Sequence, residues 1–225
     1  MNKYLFIILL FCCTVARSQE NNPYGLLLIS DLNSYIKTVD LDKNKQLVEI
    51  NKHIPDIKLD IRYATKNNFS KQAVYKQARA FARLPVVEAL KNVQIELRKS
   101  GLGLKIYDGY RPYSVTVTFF KLASDKNFVA NPKDGSRHNR GCAIDLTLIN
   151  LKTGKELEMP TPYDSFAPEA ASDYNNLPEN VIKNRNILRL VMEKNGFRVL
   201  GNEWWHFDFK NWKNYELMDI PFEKL

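Results

Sequence analysis

Two histidines and two carboxylates occur in two short patterns whose residue types could bind a metal ion. His138 and Asp145 lie in SRHNRGCAID, and Glu203 and His206 lie in EWWHFDF. Zinc accepts imidazole nitrogen and carboxylate oxygen, and a catalytic zinc site keeps three protein ligands so that water can occupy the fourth position. We therefore predict one Zn²⁺ per chain, bound by His138, Asp145 and His206. Glu203 is left as the general base.

Such a cluster predicts metal-assisted hydrolysis of a peptide bond. Zinc lowers the pKa of bound water from about 16 to about 7, and Glu203 would carry the proton to the leaving amine. A cationic donor is also needed where negative charge develops on the carbonyl oxygen. Arg111 in YDGYRP is the candidate, because Gly109 and Pro112 fix a loop that follows a predicted strand. The plainer alternative for Arg111 is an ion pair with Asp108 on the surface.

Three helices are predicted among the elements that position these residues. Residues 84–100 place apolar side chains on one face, with Pro85 early in the helix and Gly101 after its end. The same criteria predict helices over residues 113–123 and 178–195.

The predicted strands carry the motifs or border them. They cover residues 104–108, 142–149 and 204–209, with a turn near Gly154 and a short return strand near Glu156. Helices combined with such strands predict an α+β fold, in which a small, mostly antiparallel sheet is flanked by helices.

The spacing of the ligands constrains this arrangement. Side chains on a strand alternate between faces, so odd separations place two residues on opposite sides of a regular strand. We therefore expect His138 in a loop before Gly141, and a bend at Gly201 and Asn202 that lets Glu203 reach in from the strand start. A helical turn would also bring Glu203 to the site, but the aromatic run favours a strand.

The first 18 residues predict a signal peptide. Lys3 precedes a short apolar run, and Ala16-Arg17-Ser18 matches a signal peptidase site. The run is too short to span a hydrocarbon core of roughly 30 Å, so we expect no stable membrane anchor after cleavage. The expected product is exported, periplasmic or otherwise extracytoplasmic. It comprises residues 19–225 as a single peptidase domain with an N-terminal arm over about residues 19–55.

Charge and cysteine content agree with an exported protein of one domain. Loss of Lys3 and Arg17 with the leader lowers the formal net charge from +8 to +6, and the basic residues are scattered. Export excludes nucleic acid as a natural partner and leaves anionic envelope polymers. Cys142 is then the one remaining cysteine, so we expect no intrachain disulfide and a buried thiol in the core.

The motifs SxHxxGxAxD and ExxH resemble those of the D-alanyl-D-alanine dipeptidases of the vancomycin-resistance type. The resemblance includes YDGYRP and the stretch DIRYATKNNF, and it covers roughly residues 54–209. It implies the zinc D-Ala-D-Ala peptidase fold, also called hedgehog-like, and a D,D-dipeptide or peptidoglycan-derived peptide as substrate. The implied roles match those argued above for the ligand set, the base and the arginine: His138, Asp145, His206, Glu203 and Arg111.

Two further residues gain a role only from the resemblance. It implies that Ser136 and Asp164 hold the substrate, with the Asp164 carboxylate meeting the free amino group. An ordinary loop-capping role is the alternative for Asp164. One departure concerns a turn near which the family tends to have a glycine, whereas this chain has Ser70 and Lys71. We expect the local loop, which could border the entrance, to differ there.

Three functions remain open at this point. The first is an exported zinc dipeptidase that cleaves D-alanyl-D-alanine into two D-alanines. The second is a D,D- or L,D-carboxypeptidase that trims longer peptidoglycan stems with the same metal site behind a more open cleft. The third is a wall-binding module with structural zinc, which is disfavoured because no fourth ligand is evident and Glu203 is retained.

Overall fold

The computed structural model describes residues 22–225, so the predicted signal peptide lies outside the described residues. None of the helices in this part of the chain combines the length and apolar character that a membrane span requires. The helices are α1 (Leu32–Leu41), α2 (Ile50–His53), α3 (Leu84–Arg98), α4 (Tyr113–Leu122) and α5 (Glu179–Lys194). The strands are β1 (Leu28–Ile29), β2 (Leu47–Glu49), β3 (Lys58–Leu59), β4 (Phe81–Arg83), β5 (Leu102–Asp108), β6 (Ala143–Asn150), β7 (Phe197–Leu200), β8 (Glu203–Phe209) and β9 (Leu217–Met218).

A five-stranded sheet forms the centre of the described chain. Its strand order is β3-β5-β6-β8-β7, and only the β3-β5 pair is parallel. Helix α3 packs against β5 and α5, and α5 packs against β6, β7 and β8. The fold is therefore α+β with a mostly antiparallel sheet flanked by helices, as the sequence predicts.

The longer elements agree with their predicted positions to within two residues. Helices α3, α4 and α5 and strands β5, β6 and β8 all occur, and the return strand near Glu156 is a single antiparallel bridge to Ile149. Cys142 is fully buried.

The sequence analysis missed the short N-terminal elements because their partners are distant along the chain. Strand β1 pairs in parallel with β9, and β2 pairs with β4. A strand of two or three residues carries too little periodicity to be recognised, and its pairing energy comes from the remote partner. The division of the chain into a leader, an arm and a peptidase body stays a prediction.

The turn after Asn68 contains a backbone conformation that favours glycine. Lys71 has φ of 56°, and its N–H donates to the Asn68 carbonyl at 3.2 Å. The Asn68 side-chain amide donates its two N–H groups to the carbonyls of Thr65 and Gln72 at 2.7 and 2.9 Å, with the Arg62 carbonyl at 3.2 Å, which anchors the turn. The left-handed region costs a residue with a Cβ about 1–2 kcal/mol. The departure from the family at Ser70 and Lys71 therefore includes a strained lysine.

Replacing Lys71 with glycine is expected to stabilise the protein. The relieved strain of about 1–2 kcal/mol exceeds the roughly 0.5–1 kcal/mol of chain entropy that glycine loses on folding. We expect the free energy of unfolding in urea to rise by about 0.5 kcal/mol. Ser70→Gly is the matched control, because Ser70 does not have positive φ and gains nothing from glycine. Equal effects of the two substitutions would contradict the argument.

Candidate metal centre

Three elements bring the predicted ligands together. Asp145 lies in β6 directly opposite His206 in the neighbouring strand β8. His138 lies in a short 3-10 turn, His138–Arg140, that precedes β6 and ends at Gly141, whose φ is 69°. His138 is therefore outside the strand, as its spacing from Asp145 required. All three side chains are at most 6% exposed.

The three facing ligand atoms form a nearly equilateral triangle. His138 Nε2 lies 3.2 Å from His206 Nδ1 and 3.4 Å from Asp145 Oδ1, and His206 Nδ1 lies 3.0 Å from Asp145 Oδ1. Tetrahedral bonds of about 2.0–2.1 Å would place ligand atoms roughly 3.3 Å apart. Asp145 Oδ1 is buried and has no hydrogen-bond partner. The spacing, the donor types and the unpartnered oxygen fit a zinc-sized cation.

Hydrogen bonds on the far side of each imidazole turn its other nitrogen toward the cluster. His138 Nδ1 lies 2.7 Å from the Gly109 carbonyl oxygen, and His206 Nε2 lies 2.9 Å from Asp208 Oδ1. Both partners are acceptors, so these nitrogens carry the protons and the facing nitrogens offer lone pairs. Position 109 has no room for a side chain, because a Cβ there would meet the Phe81 carbonyl oxygen at 2.6 Å.

The charge of Asp145 is balanced within the cluster. Its Oδ2 accepts from Tyr163 Oη at 2.9 Å. Burial alone would raise the pKa of Asp145, but the adjacent imidazoles of His138 and His206 hold it well below its usual range. Burial likewise disfavours a charged His206, yet the neighbouring carboxylates of Asp145 and Asp208 raise its pKa. The cluster favours a cation at its centre, and a metal ion there would compete with the proton on His206.

Glu203 faces the same cluster but is not one of its three possible ligands. The chain turns at Gly201 and Asn202, and the register shifts so that Leu200 pairs with Glu203 while Val199 pairs with Phe207. This irregularity breaks the strand alternation and brings Glu203 Oε2 to 3.8 Å from His206 Nδ1. The expected bend is therefore present.

The environment of Glu203 suits proton transfer near neutral pH. Burial raises the pKa of Glu203 to about 7; the negative charges of Asp145 and Asp164 add to this, whereas His206 and Arg111 oppose it. A general base works best when its pKa lies near the operating pH.

Arg111 is buried and pairs with Asp108. Its Nε and Nη2 donate to Asp108 Oδ2 at 3.0 and 2.7 Å, and its guanidinium lies 4.8 Å from the centre of the Phe119 ring. The ion pair named as the plainer alternative therefore exists, but in the interior and not on the surface. Because Arg111 also lines the cavity beside the cluster, the pair orients it there.

Asp164 and Ser136, the two residues implied by the resemblance, also line this cavity. Asp164 has φ of 64°, its Oδ1 accepts from Tyr63 Oη at 2.8 Å, and its buried Oδ2 has no partner. Burial raises the pKa of Asp164 to about 7, partly offset by the Tyr63 hydrogen bond. The Ser136 hydroxyl accepts from the His138 N–H at 3.2 Å, so Ser136 also holds the ligand turn.

A cavity of about 250 Å³ opens beside the cluster. That volume lies below the usual range for drug-sized ligands, so the cavity suits a small one. One wall is aromatic: Tyr63, Phe69, Phe119, Phe128, Phe166 and Trp205. A larger cavity of about 610 Å³ lies elsewhere, between the segment before α1 and the C-terminal residues, and includes none of the predicted site residues.

The sequence analysis missed the residues that support the ligands. Asp208 follows His206 by two positions on the same strand, and that spacing places both side chains on one face, so the signal was present in EWWHFDF. Tyr163 supports Asp145 but lies 18 positions from it, and no local spacing reveals this contact. Trp204 and Trp205 are buried.

An α+β fold with two imidazoles and one carboxylate converging beside a partly buried glutamate defines a metal-dependent hydrolase site. Residues 43–219 match the family model described as D-ala-D-ala dipeptidase. The chain belongs to this family of metallopeptidases.

Two individual relatives of known activity agree with the assignment. The chain is 33% identical to the D-alanyl-D-alanine dipeptidase of Escherichia coli (strain K12) over 178 residues, which cover 79% of this chain and 91% of the relative. It is 31% identical to the D-alanyl-D-alanine dipeptidase of Enterococcus faecalis (strain ATCC 700802 / V583), covering 74% of this chain and 88% of the relative. The solved LdcB LD-carboxypeptidase aligns at 20% identity with a TM-score of 0.40, covering 58% of this chain and 61% of that one.

Proposed function

We propose that the protein is an exported, zinc-dependent dipeptidase that hydrolyses D-alanyl-D-alanine to two D-alanines. The observation that carries the proposal is the His138, Asp145 and His206 triangle, which faces a cavity of about 250 Å³ and leaves Glu203 beside it as a non-ligand. Family membership supports the reaction class, and the small cavity supports a small peptide. The expected leader peptide supports an extracytoplasmic location.

Zinc is the metal that the three donors fit best. Two neutral imidazole nitrogens and one carboxylate oxygen, spaced for tetrahedral bonds, leave one position for water or substrate. Bound there, zinc would polarise the scissile carbonyl and lower the pKa of a bound water to about 7.

Glu203 is the proposed general base. Its carboxylate lies near the ligand atoms without a closer partner among them, and its raised pKa of about 7 lets it accept a proton and return it to the leaving amine. Arg111 is the proposed stabiliser of the negative charge on the tetrahedral intermediate. Because Asp108 fixes its guanidinium in advance, little reorganisation is needed when that charge develops.

Asp164 and Ser136 are the proposed substrate-holding residues. The unpartnered Oδ2 of Asp164 is available to an ammonium group of the substrate. A bound ammonium group favours the charged form of the Asp164 carboxylate and thereby offsets the cost of burying that charge. Ser136 adds a hydroxyl at the cavity wall beside the ligand turn.

The proposal is tested by the substrate preference of the purified zinc-loaded protein. We expect kcat/KM for D-alanyl-D-alanine to exceed that for a tripeptide ending in D-alanyl-D-alanine by at least about 100-fold, since a small cavity rejects longer chains. It should also exceed kcat/KM for L-alanyl-L-alanine, whose methyl groups point in other directions when its charged ends and peptide bond are held at the same places. Released alanine is quantified by chromatography. Preferential cleavage of the tripeptide would instead support the carboxypeptidase alternative. A protein without turnover on any of the three would refute the proposal.

A further inference from the structure

A buried arginine away from the cavity contacts the turn that carries the ligand His138. Arg83 is the last residue of β4, its side chain is fully buried, and it is absent from the described lining of the cavity beside the cluster. Its ion pair with Glu216 is long, with Nη2 3.8 Å from Oε2. A buried charge is costly unless hydrogen bonds compensate for the lost water. The acceptors around this guanidinium therefore show which parts of the chain it holds together.

The guanidinium of Arg83 meets main-chain carbonyls from three separate segments. Its Nε donates to the Arg140 carbonyl at 2.8 Å, its Nη1 donates to the Lys45 carbonyl, and its Nη2 lies 3.4 Å from the Glu216 carbonyl oxygen. The five N–H groups of a guanidinium point in fixed directions, whereas a lysine has a single ammonium group. The side chain thus fixes the ligand turn, the segment before β2 and the segment before β9 relative to one another.

Two of the carbonyls that Arg83 bonds are at the end of the ligand turn. The last carbonyls of a helical turn have no partner inside it. Arg83 Nε bonds to the carbonyl of Arg140, and the Arg83 main-chain N–H donates to the Gly141 carbonyl at 3.0 Å. A Cβ at Gly141 would meet Leu47 Cδ2 at 2.7 Å and Arg83 Cγ at 3.4 Å. Strands β2 and β4 therefore pack directly on the end of this turn.

The other end of β4 holds the loop that orients the His138 ring. The Phe81 carbonyl accepts from the Tyr110 N–H at 2.6 Å, and the neighbouring Gly109 carbonyl oxygen lies 2.7 Å from His138 Nδ1. Strand β4 thus contacts the surroundings of one ligand at two places: Phe81 through the loop beside the ring, and Arg83 through the turn that carries the main chain.

This support differs from that of the other two ligands. Asp145 and His206 lie on β6 and β8 of the five-stranded sheet, whereas β4 pairs with β2 in a second sheet. Strand β2 lies within residues 19–55, the predicted N-terminal arm. The position of His138 relative to the five-stranded sheet therefore depends on β4 and on the segments that Arg83 joins to it.

We propose that Arg83 is a positioning residue for the metal centre, which holds the ligand turn so that His138 Nε2 meets Asp145 and His206 at metal-binding distance. The inference rests on the zinc site of the proposed function and not on the substrate. Loss of a group that orients a metal ligand typically weakens metal binding by about 10- to 100-fold. Arg83 acts through main-chain carbonyls, so its effect should appear in the placement of His138.

The first test is the zinc affinity of Arg83→Met. Methionine is an unbranched side chain that fills much of the same space but has no donor and no charge. Competition with a chromophoric chelator gives the dissociation constant for zinc, and unfolding in urea shows that the variant is folded before the metal is added. We expect zinc to bind about 10- to 100-fold more weakly than to the unmodified protein.

Nuclear magnetic resonance of the imidazoles gives a readout that a merely structural role would not change. In the zinc-loaded protein, the proton is expected on His138 Nδ1 and on His206 Nε2, so the nitrogen–proton couplings distinguish the two rings. In Arg83→Met the His138 signals should shift, and its Nδ1 proton should exchange faster with water. The His206 signals should keep their positions.

Arg79→Met is the matched control. Arg79 also joins the region of β4 to β2, because it donates to both carboxylate oxygens of Glu49 at 3.0 and 2.8 Å and to the Phe222 carbonyl at 3.1 Å. These acceptors lie outside the ligand turn, so the zinc affinity of Arg79→Met should stay within about threefold of the unmodified protein. Arg83→Lys should bind zinc with an intermediate affinity, since it keeps the charge but cannot bond in three directions.

The outcomes separate positioning of the ligand from general stabilisation of the fold. If Arg83→Met unfolds at lower urea but keeps its zinc affinity and its His138 signals, the inference is overturned. Equal losses of zinc affinity in Arg83→Met and Arg79→Met overturn it as well. If Arg83→Met does not fold, Arg83→Lys decides, and an unchanged zinc affinity in that variant overturns the inference. If the unmodified protein fails to cleave D-alanyl-D-alanine while Arg83→Met weakens zinc binding, the proposed function fails and the positioning role stands.

Discussion

Replacing Glu203 with Gln is expected to lower kcat for D-alanyl-D-alanine by about 10²- to 10⁴-fold while the protein keeps its zinc. The amide has nearly the same size as the carboxylate but cannot accept a proton, and a positioned general base contributes a factor of this order. Zinc should stay bound because Glu203 is not part of the ligand triangle. Turnover and metal content are measured on the same preparation, by released alanine and by elemental analysis.

The pH dependence gives the Glu203 prediction a second readout. Activity of the unmodified enzyme should rise with pH through the pKa of Glu203, because the deprotonated form is the base. Burial raises that pKa to about 7, and a nearby cation lowers it. In the Glu203→Gln variant, the residual activity should no longer rise with pH through this range.

Glu156 supplies the control for the loss of a carboxylate. It forms an ion pair with Lys105, with Oε1 3.1 Å from Nζ, and is not part of the cavity beside the metal centre. Glu156→Gln should therefore leave kcat within about twofold, as expected for a partly exposed pair. Full activity of Glu203→Gln, or loss of its zinc, would show that Glu203 is not the base.

Replacing Asp145 with Asn is expected to abolish metal binding at micromolar zinc and to lower activity by more than about 10⁴-fold. The change removes the anionic donor of the triangle. It also removes the negative charge that lies beside the two buried imidazoles. Without the metal, the acidification of bound water and the polarisation of the carbonyl are both lost. Zinc affinity is measured by competition with a chromophoric chelator, alongside turnover.

Asp208→Asn is the matched comparison, because it removes the carboxylate that supports His206 and leaves the ligand triangle intact. Loss of such an outer partner typically weakens metal binding by about 10- to 100-fold. Added zinc should therefore restore activity to Asp208→Asn but not to Asp145→Asn. Equal recovery of both variants would mean that Asp145 is not a ligand.

The spacing of residues within single segments allowed the sequence to predict the long elements and the site candidates. Helix α3 follows from apolar side chains on one face, and the odd separation of His138 from Asp145 required His138 to lie outside the strand. Short-range patterns of this kind survive folding, since backbone geometry fixes which neighbours share a face. The family resemblance then added Ser136 and Asp164, and both line the cavity.

The tertiary structure alone decided how the candidates are supported and charged. Tyr163 reaches Asp145 and Gly109 holds His138 through contacts that no local pattern contains. The pairing of Asp108 with Arg111 is local, but only the fold places it in the interior. Burial raises the pKa of Glu203 because the low-polarity surroundings disfavour its charge. A sequence therefore identifies donors by type and spacing, whereas their protonation and orientation depend on neighbours that only chain folding brings within a few ångströms.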